Sequence, residues 1–74
     1  MPHVSIKHFP VEVTEEQSAR LVAAITAAVT ENLGCEEGVI SIALEPVDPA
    51  DWQDQVYTPE ITDRRHLLRK LPNY

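Results

Sequence analysis

Pro2 stands directly behind Met1 and leads into the strand-like run His3-Val4-Ser5-Ile6-Lys7. If Met1 is removed, as an initiator methionine usually is before a small residue, the new terminus is a secondary amine. An internal proline nitrogen is a tertiary amide with neither a proton nor basicity. A free α-amino group titrates at about 7.7–8.0, and burial in an apolar pocket lowers that value by disfavouring the cation. Such a nitrogen is suited to act as a general base near neutral pH, where proton transfer is most efficient. A retained Met1 would tie the nitrogen into an amide and abolish the base. The structural alternative is that Pro2 opens an edge strand, a position that proline tolerates.

The remaining candidates carry less chemistry. His3 and His8 lie on one putative strand at odd and even positions, so they point to opposite faces, and His66 belongs to another element. No metal cluster is expected, and each histidine reads as an ordinary surface or packed side chain. Cys35, Glu36 and Glu37 support no nucleophilic triad. Arg64-Arg65-His66-Leu67-Leu68-Arg69-Lys70 is the one basic cluster in an acidic chain. It either lends a cation to a nearby pocket or forms a solvated helix face, where positive charge suits the C-terminal end of the dipole.

Several elements must position these groups. Residues 3–9 alternate Val4 and Ile6 with Ser5 and Lys7, the pattern of a half-buried strand ended by Pro10. Thr14-Glu15-Glu16-Gln17 is a capping box, and its acidic residues suit the positive end of a helix. Leu21, Val22, Ile25, Ala28, Val29 and Leu33 then form one apolar stripe, so a helix is expected over about 15–33. Gly34 follows where a left-handed cap is wanted. Val39–Leu44 reads as a second strand, with Ile40, Ile42 and Leu44 on the heavier face toward the helix. A crossover of this length makes the strands parallel. Asp48-Pro49 starts a short helix carrying Trp52, and Thr58-Pro59 starts another through about Lys70, stopped by Pro72. The fold class is therefore α/β (α+β): a single βαβ unit with short C-terminal helices, in one domain over residues 1–74.

Two strands and one long helix are marginal in water, and a domain of 74 residues buries little surface of its own. The single Cys35 permits no intrachain disulfide. A second copy that completes the sheet is the expected remedy, so a homodimer is expected. The lone thiol fits a reducing, cytoplasmic setting. No charged-then-apolar leader and no long apolar run appear, so no membrane association is expected. Six basic against twelve acidic residues give a formal charge of −6, which argues against nucleic acid as a partner.

The start Met1-Pro2-His3-Val4-Ser5-Ile6-Lys7, the capped helix with Glu16-Gln17, the strand Val39–Leu44 and the aromatic at Trp52 together resemble the 4-oxalocrotonate tautomerase family. Trp52-Gln53, Glu60-Ile61 and Lys70-Leu71-Pro72-Asn73-Tyr74 are similar to its PptA-like bacterial subgroup. The resemblance spans essentially the whole chain, and it rests on order and spacing rather than on any single motif. It implies a βαβ subunit with Pro2 as catalytic base. It also implies that Trp52 helps form the apolar pocket that depresses the amine. Well-known members carry one arginine before the long helix and one in the second strand, which bind carboxylates. This chain has Val13 (or Val11) and Ser41 at those places. Neither can grip a carboxylate with a bidentate, charge-assisted pair.

The resulting expectation is a keto–enol tautomerase without metal or organic cofactor, acting on a 2-keto acid or enol with one carboxylate and an apolar body, such as an arylpyruvate. Pro2 is the catalytic residue, and Ser41 and Trp52 are the substrate-binding residues. Two other functions stay open. A mostly protonated Pro2 would suit hydration of an unsaturated acid, and a chain that retains Met1 would suit a non-catalytic dimeric interaction module.

Overall fold

The period-two pattern at the start of the chain forms β1 (His3–His8) in the computed structural model, which describes residues 1–74. β1 pairs in parallel with β2 (Ser41–Pro46), in a register that runs from His3 opposite Ser41 to His8 opposite Pro46. Backbone bonds extend the ladder at both ends. Ser41 N–H donates to the Pro2 carbonyl at 3.2 Å, and Val47 N–H donates to the His8 carbonyl at 2.7 Å. The expected βαβ unit with parallel strands is therefore the observed one.

Two strand boundaries differ from the expectation. β1 ends at His8 rather than residue 9, and the Phe9 carbonyl lies 2.7 Å from His8 Nδ1 instead of in the ladder. β2 occupies 41–46 rather than 39–44. Glu37–Val39 form a 3-10 turn, closed by Val39 N–H to Glu36 and Ile40 N–H to Glu37. The turn chemistry of Glu36-Glu37-Gly38 thus captures Val39, which the apolar run had assigned to the strand.

Between the strands, α1 (Glu15–Leu33) begins and ends where its caps require. Gln17 N–H donates to Thr14 Oγ1 at 3.1 Å, and Thr14 N–H donates back to Gln17 Oε1 at 2.9 Å. Gly34 closes the helix at φ 67°, a left-handed conformation that glycine adopts without a Cβ penalty. Its N–H reaches the Thr30 carbonyl at 3.1 Å. The one ion pair of the chain, Glu16–Arg20 at 2.8 Å, lies one turn apart on α1. As an exposed pair it adds little.

The last third departs furthest from the expectation. Asp48 caps a 3-10 turn over Pro49–Asp51 through its carboxylate and Ala50 N–H. A π-helical segment over Gln53–Thr62 then runs through Pro59. The helix expected from Pro59 to Lys70 is not formed. Thr58 does not cap a new helix; its hydroxyl accepts from Gln53 Nε2 at 3.2 Å. Proline lacks an N–H and its ring crowds the carbonyl four residues back. Wider turns suit that defect, and Asp63 N–H bonds the Thr58 carbonyl five residues earlier. A short 3-10 turn at Arg65–Leu67 follows, and Leu68 is extended.

The unit has almost no interior. Val47 and Val56 are its only buried residues, and α1 contributes none. Ile25 and Val29 on α1, and Val4, Ile6, Ile42 and Leu44 on the strands, are half-buried. Leu21, Val22 and Leu33 are exposed. The chain presents 5851 Å² to solvent, whereas a compact monomer of this size presents about 4,600 Å².

Because both ends of α1 are set by side-chain and backbone caps, Thr14→Ala should destabilise the protein by about 1 kcal/mol. Thr14→Ser, which keeps the capping hydroxyl, should retain most of the stability. Urea midpoints at one fixed protein concentration measure this, and an unchanged midpoint for Thr14→Ala would show that the capping box contributes nothing.

Candidate active site

Strand register decides what stands beside Pro2. The Pro2 carbonyl is held by Ser41 N–H, and His3 lies opposite Ser41 with its Nδ1 2.6 Å from Ser41 Oγ. Which of the two atoms donates depends on the imidazole tautomer, and either way His3 Nε2 stays free. Pro2, His3 and Ser41 thus converge at the N-terminal end of the sheet. His3 was not singled out by sequence. Its signal is cross-strand pairing, which is invisible until the start of β2 is known.

Trp52 lies elsewhere in the chain. Its ring meets Phe9 edge-on, with centroids 5.0 Å apart and planes at 84°. Phe9 follows β1 and Pro2 precedes it. At about 3.3 Å per residue the two are roughly 23 Å apart along the strand. A cleft lined by Ser5 and Lys7 of β1 and by Trp52, Val56, Glu60 and Ile61 sets the π-helical segment against the odd-numbered face. Pro2 and Ser41 meet at the first rung of the ladder, while Trp52 sits against Phe9 and the cleft of Ser5 and Lys7.

Phe9, Trp52 and Tyr74 wall a pocket of about 490 Å³, within the usual range for small-molecule sites. No charged side chain lines it. Trp52 Nε1 donates to Tyr74 Oη at 3.2 Å, and Tyr57 Oη donates to the Tyr74 carbonyl at 3.2 Å. The Tyr57 and Tyr74 rings are 5.6 Å apart. Val13, at a place where the resemblance puts an arginine, is exposed. The basic segment lines no pocket, and Arg69 Nη1 donates to the Leu67 carbonyl at 3.0 Å.

A tautomerase family profile, described as a tautomerase enzyme, matches residues 2–58. The chain belongs to the tautomerase family. It is 43% identical over 74 residues to Tautomerase PptA of Klebsiella pneumoniae, covering 100% of this chain and 97% of that relative. The Escherichia coli proteins of the same name are 40% identical over the same span, at the same coverage. This tautomerase is therefore an isomerase, and its two strands and crossover helix are those of the family's βαβ subunit. Residues 2–58 include Pro2, Ser41 and Trp52, while Tyr74 lies beyond the matched span. No helix of the tautomerase is long and apolar enough to cross a membrane.

Proposed function

We propose that this tautomerase interconverts the keto and enol forms of a 2-keto acid of the arylpyruvate type, and that the imino nitrogen of Pro2, after removal of Met1, is the proton acceptor. The observation that carries the substrate class is the open pocket lined by Phe9, Trp52 and Tyr74, with no charged side chain in its lining. An aryl ring suits it, and a second carboxylate does not.

The chemistry needs only one mobile proton. Pro2 takes the hydroxyl proton of the enol and returns it to C3. The O–H bond breaks and leaves its electron pair to form the C2 carbonyl, while the C2=C3 pair takes up the proton as the new C3–H bond. No electrons are gained or lost, so no cofactor is needed. The single carboxylate is received by the His3–Ser41 pair beside Pro2. That grip is weaker than a bidentate arginine, which fits a substrate held mainly by its apolar body.

The aromatic pocket around Phe9, beyond the far end of β1 from Pro2, fits a site built from two copies of the chain, with Pro2 of one facing the aromatic pocket of the other. The surface balance points the same way. The exposure in excess of a compact monomer is roughly 1,200 Å², enough for a standard interface of about 800 Å² per partner. The apolar residues of α1 and the sheet edges are the surfaces a homodimer would cover. A cytoplasmic setting belongs to the same reading, since the sole thiol, Cys35, has no disulfide partner within the chain.

Two experiments test this function. Pro2→Ala should lose most turnover of phenylpyruvate enol while its assembly is unchanged, with Met1 removal verified by intact mass in both proteins. Full turnover by mature Pro2→Ala would overturn the assignment of the base. In a side-by-side assay, kcat/KM should be higher for phenylpyruvate enol than for a 2-hydroxymuconate-type diacid. Each lost charged hydrogen bond costs about 1.5–3 kcal/mol, and Val13 and Ser41 can supply neither. Trp52→Ala should lower kcat/KM for both substrates. A diacid preference of about tenfold would instead show that Arg64, Arg65 or Arg69 supplies the cations.

A further inference from the structure

The indole N–H of Trp52 is the obvious donor of the aromatic pocket, but it is already engaged. Indole is a donor only, and Nε1 donates to Tyr74 Oη at 3.2 Å. A phenol both accepts and donates. Tyr74 accepts from Trp52, and its own hydroxyl proton has no acceptor within the chain. That proton is the free polar hydrogen of a pocket otherwise walled by rings.

Tyr74 is held for such a task from two sides. Its backbone carbonyl accepts from Tyr57 Oη at 3.2 Å, and the two rings stack at a tilt of 43°. Trp52 is fixed in turn by the edge-on contact with Phe9. The order is thus Phe9 against Trp52, Trp52 N–H to Tyr74 Oη, and Tyr74 in the pocket lining with its hydroxyl hydrogen free to rotate toward a ligand. A hydroxyl that accepts one hydrogen bond becomes a stronger donor of the next.

We propose that the Tyr74 hydroxyl donates to the C2 oxygen of the substrate and stabilises the negative charge that develops there, with Trp52 as the positioning residue that polarises it. The proposal rests on the Pro2 reading above. While Pro2 holds the hydroxyl proton, C2 oxygen carries enolate charge. A fixed donor aimed at that oxygen favours the transition state over the ground state. Tyr74 is 64% exposed in the single chain, so it is open to a ligand brought in by Pro2 of a second copy.

The test compares Tyr74→Phe, Trp52→Phe and Pro2→Ala with the parent, all with Met1 removal verified. Tyr74→Phe keeps the ring and removes only the hydroxyl. It should lower kcat for phenylpyruvate enol on the order of 100-fold, with KM little changed. Trp52→Phe should lower kcat by less, because the phenol remains. Hydrocinnamate, which has the ring and carboxylate but no C2 oxygen, separates donation from shape. Its Kd by calorimetry should stay within about twofold in Tyr74→Phe. A Tyr74→Phe kcat within about twofold of the parent, with Pro2→Ala inactive, overturns the role of Tyr74 and leaves Pro2 as the base. Weakened hydrocinnamate binding in Tyr74→Phe also overturns it, since Tyr74 would then shape the pocket rather than donate. Full activity of Pro2→Ala overturns both assignments.

Discussion

Two six-residue strands and a 19-residue helix do not enclose an interior. A parallel pair must be covered on both faces to hide its apolar residues, and this chain covers each face only in part. Val47 and Val56 are buried where the chain turns back after β2 and where the π-helical segment returns across the sheet. Elsewhere the apolar side chains of α1 and the strands are half-covered or open. The hydrophobic effect scales with area removed from water, so most of the stabilisation available to this sequence is not realised within a single chain.

The site follows the same geometry. β1 is a rod with chemistry at each end. Pro2, His3 and Ser41 gather at the start, joined by the first rung of the ladder and by the imidazole–hydroxyl contact. Phe9, Trp52 and Tyr74 gather at the finish, joined by ring contacts and the indole hydrogen bond. On the proposed reading, a base without an apolar pocket and an apolar pocket without a base are each incomplete. In the proposed homodimer, a second copy arranged with twofold symmetry would supply both deficiencies at once, because an isologous contact presents each end to the other. The proposed dimer would then cover the open surface and complete the site together.

Local chemistry was legible in the sequence, and long-range pairing was not. The capping box at Thr14, the left-handed cap at Gly34 and the alternation of Val4 and Ile6 act within a few residues, and α1 and β1 stand close to where those signals put them. β2 slipped by two residues because Val39 suits a strand but lies in a turn set by its neighbours. Thr58-Pro59 has the look of a helix start, yet Thr58 bonds Gln53 and Pro59 is absorbed into wide turns. His3 was passed over because its partner is 38 residues away and only the register of β1 on β2 brings Ser41 to it. Tyr74 gave no signal, since its contacts to Trp52 and Tyr57 depend on how the last residues return across the fold.

The most direct measurement is complementation between two variants. Pro2→Ala and Trp52→Ala proteins, each low in activity, are mixed, unfolded, refolded together and assayed with phenylpyruvate enol. If each site takes Pro2 from one chain and Trp52 from the other, a mixed dimer holds one doubly altered site and one intact site. Random pairing should then restore about a quarter of the parent activity. Activity no higher than that of the two variants refolded separately would contradict the account, because it would put Pro2 and Trp52 of the same chain in one site.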